Sequence, residues 1–162
     1  MAKSSKIIDE SEAPIAATER KAPLDGALDE LIGYALRRAQ LKLFQNLISQ
    51  LSTHDLRPAQ FSALAIIEQN PGLMQADLAK ALAIEPPQVV PLLNKLEERA
   101  LAVRVRCKPD KRSYGIFLSK SGETLLKELK QIATQSDLDA TSALDSEERE
   151  TLLRLLKKVY QE

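Results

Sequence analysis

Between Gln75 and Leu118 the spacing of apolar residues changes its period. Leu78, Ala79 and Leu82, and then Val89, Leu92, Leu93 and Leu96, recur at three- and four-residue steps, the mark of two short helices with one apolar face each. Directly afterwards Leu101, Val103 and Val105 alternate with Ala102, Arg104 and Arg106, which is a strand period. Ser113 to Leu118 reads as a strand returning beside the first. Two short helices joined through Ala83 and Ile84 make a helix-turn-helix. A hairpin placed right after the second of them makes a winged helix, and few folds accept that order.

The flanks are simpler. Residues 1–23 mix charges, Ser, Ala and Pro without a sustained period and are expected to form a flexible N-terminal arm. From Leu24 onward the pattern predicts a long helix, with Leu28, Leu31, Ile32, Ala35, Ala39, Leu43 and Leu47 as its stripe. A second helix opens at Pro58, carries Phe61, Leu64, Ala65 and Ile67, and stops at Asn70-Pro71-Gly72. After the hairpin one helix starts near Ser119, with Leu125, Leu129 and Ile132. The last starts at Asp145, which forms a capping box with Glu148, and carries Leu152, Leu156 and Val159. The fold class is mainly α with a small β-hairpin wing, in a single domain over 24–162.

Aromatic residues make up only 4% of the 162, and the apolar content is Leu and Ala, which suits helix packing. No apolar run approaches the roughly 20 residues of a membrane span, and the N-terminus has no signal-peptide core. A single Cys forms no internal disulfide, so a cytoplasmic protein with no membrane partner is expected. His54 is the sole histidine, so no metal site, no cofactor and no acid/base pair is expected, and the chain does not read as an enzyme. A helix-end or loop role suits His54. Cys107, between Arg106 and Lys108, reads as a plain loop thiol, with an oxidation sensor as the alternative.

Charge separates the function classes. The formal net charge is zero, yet Pro86 to Arg112 holds seven Lys/Arg (95, 99, 104, 106, 108, 111, 112) against three acids (97, 98, 110), a local +4. Cations concentrated on one helix-plus-hairpin unit are the footprint expected for phosphate binding. On the side of the second short helix opposite Val89, Leu92 and Leu96 stand Gln88, Pro91, Asn94 and Lys95. Gln88 suits adenine in the major groove, and Lys95 suits a phosphate or guanine. The alternative is that these are solvated surface residues. Pro91 fits a helix only if regular geometry begins late, near Gln88.

The wing tip reads KPDKRSYGIF, residues 108–117. Asp110 is either a solvated loop residue or a brace for Arg112. A minor groove about 6 Å wide admits an extended guanidinium, and its negative potential favours one. Fixing a free Arg costs up to about 2 kcal/mol of rotamer entropy, which a carboxylate two residues away can lower beforehand.

The order of elements, with ADLAKAL (76–82), LLNKLEERALAVR (92–104), the DKR turn (110–112) and LSKSGETLL (118–126), resembles the MarR family of bacterial transcription regulators over about residues 28–160. In that family the wing arginine enters the minor groove and the aspartate orients it, roles that fall here on Arg112 and Asp110. The resemblance implies a homodimer on a pseudo-palindromic double-stranded DNA operator. Its DNA-binding core would span 56–118, and 24–51 and 119–162 would be dimerisation helices. Gln88, Asn94, Lys95, Arg104, Lys108, Asp110, Lys111 and Arg112 are the DNA-binding candidates. The family usually starts its recognition helix with small hydroxyl residues, where this chain has EPPQVVPLL.

The stretch from Gln60 to Glu97 is most similar to members that control degradation of hydroxycinnamates and related aromatic acids, some of which answer to the CoA thioester. That implies a repressor released by a small aromatic ligand or its CoA thioester. Arg37 and Arg38 are candidates for its carboxylate or phosphate, with an ordinary solvated helix face as the alternative, and Tyr34 and Phe61 for an aromatic slot. The rival from another class is a winged-helix module for protein–protein contact without DNA.

Overall fold

The computed structural model describes residues 28–106 and 114–161. The order is α1 (Ile32–Ser52), α2 (Pro58–Gln69), α3 (Gln75–Leu82), α4 (Pro86–Glu98), β1 (Ala102–Arg106), β2 (Tyr114–Leu118), α5 (Lys120–Ala140) and α6 (Ser146–Tyr160). The expected arm over 1–23 and the wing tip from Cys107 to Ser113 lie outside the described residues. Residues up to Arg37 and those from Arg38 onward form two units, and each is described by itself.

In the first unit the helix expected from Leu24 begins at Ile32 instead. Leu28–Glu30 is a turn, closed by the Leu31 N–H donating to the Leu28 carbonyl at 3.0 Å. A tight turn and a helical turn both bring residues three apart together, so apolar spacing alone does not separate them.

The second unit has one core. Leu51 of α1, Leu64 and Ile67 of α2, Leu78 of α3, Leu93 and Leu96 of α4, Ile116 of β2, and Leu126 and Leu129 of α5 are fully buried. Each such side chain contributes about 1.5–3 kcal/mol relative to exposure. Asp145 caps α6, accepting from the Glu148 N–H at 2.9 Å while the Glu148 carboxylate accepts from the Asp145 N–H at 2.9 Å. No residue of α6 is buried.

The strands pair antiparallel, with Arg104 opposite Ile116 and Arg106 opposite Tyr114. Gly72, at φ 84°, turns the chain after α2 so that its N–H donates to the Ile116 carbonyl at 2.7 Å. The Ile116 N–H donates to the Leu73 carbonyl at 3.0 Å, adding a bridge to the hairpin. The alternation in β1 predicts the strand, but Val103 and Val105 are exposed while Ala102 is buried and Arg104 half-buried. The side turned to the domain carries the arginine.

α4 starts earlier than its prolines suggest. Regular helix begins at Pro86, not near Gln88, and Pro91 is inside it. Pro86 and Pro87 occupy the first two helical positions, where no N–H would find an intrahelical partner anyway. Pro91 alone removes a helical bond, the one to the Pro87 carbonyl.

Candidate nucleic-acid interface

α4 buries Val89, Leu93 and Leu96 and leaves Gln88, Pro91, Asn94 and Lys95 exposed. Helical spacing puts the three polar candidates on the open side of the second helix of the helix-turn-helix. α3 sets the angle of that helix. It ends at Ala83, whose left-handed backbone (φ 52°) breaks the chain into α4.

The hairpin is latched to α4 by Arg104. Its backbone N–H donates to Glu97 Oε1 at 3.0 Å, its Nε to the same oxygen at 3.1 Å, and its Nη2 to Glu97 Oε2 at 2.5 Å. The same Nη2 donates to Asn94 Oδ1 at 2.7 Å. These contacts explain why the arginine side of β1 faces inward. The side-chain bond from Arg104 holds the Glu97 carboxyl below its ordinary range, overcoming the upward push of burial. A half-buried Arg104, engaged by two side chains of α4, fixes the wing against that helix. It is not the open cation that the charge count suggested.

Arg106 is exposed, and its Nε donates to the Tyr114 hydroxyl at 3.0 Å, with the guanidinium carbon 5.7 Å from the ring centroid. This pair anchors the base of the wing. Tyr114 was not among the sequence candidates, and neither was Glu97. Tyr114 is opposite Arg106 only in the observed register.

Two further groups of hydrogen bonds hold the hairpin and α4 in place. The Ser119 and Ser121 hydroxyls both donate to the Ala100 carbonyl, at 2.6 and 2.7 Å, and the Gly122 N–H donates to Ser119 Oγ at 3.0 Å. The Leu-Ser-x-x-Gly motif is thus the joint between α5 and the turn after α4. Arg99 donates to the carbonyls of Asp55 at 2.7 Å and His54 at 2.9 Å, tying the end of α4 to the α1–α2 turn. His54 is in that turn.

The remaining candidates are dispersed. Lys108, Asp110, Lys111 and Arg112 lie outside the described residues. In the first unit Tyr34 is half-buried and Arg37 exposed; in the second Arg38 is exposed on α1 and Phe61, on α2, packs half-buried against the core. The second unit also has an open cleft of about 490 Å³ with Ile48, Ser52, Leu56, Arg57, Gln60 and Lys95 in its walls.

The sequence profile of the MarR family matches residues 54–113. A relative from Thauera aromatica, described as a putative transcriptional regulatory protein for the hcr operon, is 32% identical over 138 residues, covering 85% of this chain and 83% of that one. The chain belongs to the MarR family. Like other MarR-family proteins it is a transcription regulator with a winged helix-turn-helix fold. Its fold is similar to that of the transcriptional repressor CouR bound to a 23-mer DNA duplex, with a TM-score of 0.80 and 37% identity over 86% of this chain and all (100%) of that one. CouR bound to p-coumaroyl-CoA matches with a TM-score of 0.76 and 36% identity, over 86% of this chain and 99% of that one. Among the described residues of this MarR-family chain, no helix is long and apolar enough to cross a membrane.

Proposed function

We propose that this regulator is a homodimeric repressor that binds a pseudo-palindromic duplex and is released by a small aromatic acid or its CoA thioester. The observation that carries the reading is the open side of α4, where Gln88, Asn94 and Lys95 stand exposed beside a hairpin latched to the same helix by Arg104. Residues 56–118 form its DNA-binding part. Lys108, Lys111 and Arg112, with Asp110 as the brace of Arg112, serve the backbone and the minor groove. The similarity to CouR on a DNA duplex supports this use of the fold.

The segments 24–51 and 119–162 join two copies. Support comes from α6, which buries none of its residues in one chain although Leu152, Leu153, Leu155 and Val159 are apolar and exposed. A two-fold pair offers two recognition helices, matching half-sites about one helical turn, 34–36 Å, apart. CouR with p-coumaroyl-CoA, and the hcr-operon relative, support an aromatic effector. Arg37 and Arg38 are separate candidates for its anionic group, as are Tyr34 and Phe61 for its ring. The protein works by binding in the cytoplasm and not by catalysis.

Titration against genomic fragments tests the reading. A selected duplex should bind tightly at low salt and lose affinity steeply as salt rises. Weak, sequence-indifferent binding would favour the protein-contact alternative. An aromatic acid or its CoA thioester should weaken DNA binding by about 1–3 kcal/mol of coupling, and DNA should weaken ligand binding equally. Unaltered ligand affinity in an Arg37→Ala/Arg38→Ala variant would remove these arginines from the effector site.

A further inference from the structure

We propose that the recognition helix reads hydrogen-bond acceptors on the bases and not their amino groups, because protein donors already occupy the carbonyl ends of both of its amides. The inference rests on the DNA-binding reading above and adds the chemical identity of what α4 selects.

An Asn or Gln amide has one acceptor end and one donor end, and reading adenine by its N6 and N7 needs both. A guanidinium has no acceptor, so the 2.7 Å contact of Arg104 Nη2 with Asn94 fixes the amide with Oδ1 toward the arginine and Nδ2 away from it. A second donor approaching that oxygen would meet the Arg104 cation. Gln88 is set in the same sense: its Oε1 accepts from the backbone N–H of Glu85 at 3.1 Å, leaving Nε2 outward. The Glu97 carboxylate takes three donors from Arg104. Lys95 has donors only. The open side of α4 therefore offers Nε2, Nδ2 and Nζ, all donors. The matching base is guanine, with O6 and N7, then thymine through O4. Adenine can offer N7 to the same donors, but its N6 amino group, like cytosine N4, faces outward-turned donors and not amide oxygens on these side chains. Exposed Val90 and Pro91 add apolar contact suited to a thymine methyl group.

Arg104 is thereby a positioning residue: it sets the orientation of Asn94. The experiment uses the full-length protein and duplexes selected from a randomised pool, followed by single-base analogues in the selected site. Replacing guanine by 7-deazaguanine under α4 should weaken binding about five- to tenfold per position, the worth of one hydrogen bond. Removing the N6 amino group of an adenine there should change binding by less than about twofold. Equal losses from the two analogues would overturn the inference while leaving DNA binding in place. Failure to select any duplex would sink the DNA-binding reading itself. In Arg104→Ala the carbonyl end of Asn94 is released, so selection should shift toward adenine at one position per half-site, with dependence on its amino group. Uniform weakening with an unchanged consensus would assign Arg104 to packing alone and refute its part in specificity.

Discussion

A Cβ placed on Gly122 would stand 2.0 Å from the carbonyl oxygen of Leu101. The first turn of α5 therefore rests directly on the backbone that leads into β1. The Ser119 N–H donates to that same carbonyl at 3.1 Å. The close approach needs a residue without a side chain, and the two serines just before it, Ser119 and Ser121, supply the bonds that hold it.

Gly122→Ala should consequently lower stability by at least about 2 kcal/mol, since the clash is with backbone that cannot rotate away. Chemical unfolding would measure it. A loss under about 0.5 kcal/mol would mean that α5 shifts freely and does not fix the wing.

Pro91→Ala restores an N–H for the Pro87 carbonyl and removes ring crowding in the middle of α4. The gain of up to about 3 kcal/mol is offset in part by a more flexible unfolded chain. A net rise of about 1–2 kcal/mol in unfolding free energy is expected, read by thermal or urea melts. A fall would show that the proline ring makes packing contacts of greater worth.

The Arg104 bond that lowers the pKa of Glu97 has a definite pH signature. A carboxyl depressed in the folded state adds stability that is fully present above its unfolded value and disappears as pH falls through the folded one. The difference between wild type and Glu97→Gln should thus be constant above the ordinary glutamate value of 4.5 and shrink below it. Parallel unfolding curves across pH 3 to 7 in the two proteins would exclude the latch as the cause.

Arg112→Ala should weaken operator binding by about 1–3 kcal/mol with fold and dimer intact. Asp110→Ala should lose less, in the same direction. Tighter binding after removal of Asp110 would mean that its charge repels phosphate and braces nothing.

Sequence periodicity was enough to place α2, α3 and both strands, because their apolar steps are bounded by Pro58, Gly72 and the change of period after Leu96. It misplaced the start of α1, where a turn at Leu28 repeats the helical spacing, and its condition for Pro91, a helix beginning late near Gln88, is not met, since α4 begins at Pro86 and keeps Pro91 inside. The open side of α4 was legible because Val89, Leu93 and Leu96 define its opposite. What Arg104 does was not. An arginine in a basic stretch reads as a phosphate contact, and its partners Asn94 and Glu97 precede it by ten and seven residues on another element. Only the fold of the chain back along α4 makes them neighbours.

Pro86, Pro87 and Pro91 are all exposed on α4. Their rings have no rotamers to freeze, unlike the long polar side chains that usually cover such a helix. A partner covering them would release water from rigid apolar surface at little cost in chain disorder. Part of the binding heat should then carry a negative heat-capacity change that added salt leaves largely untouched, a calorimetric component distinct from counterion release.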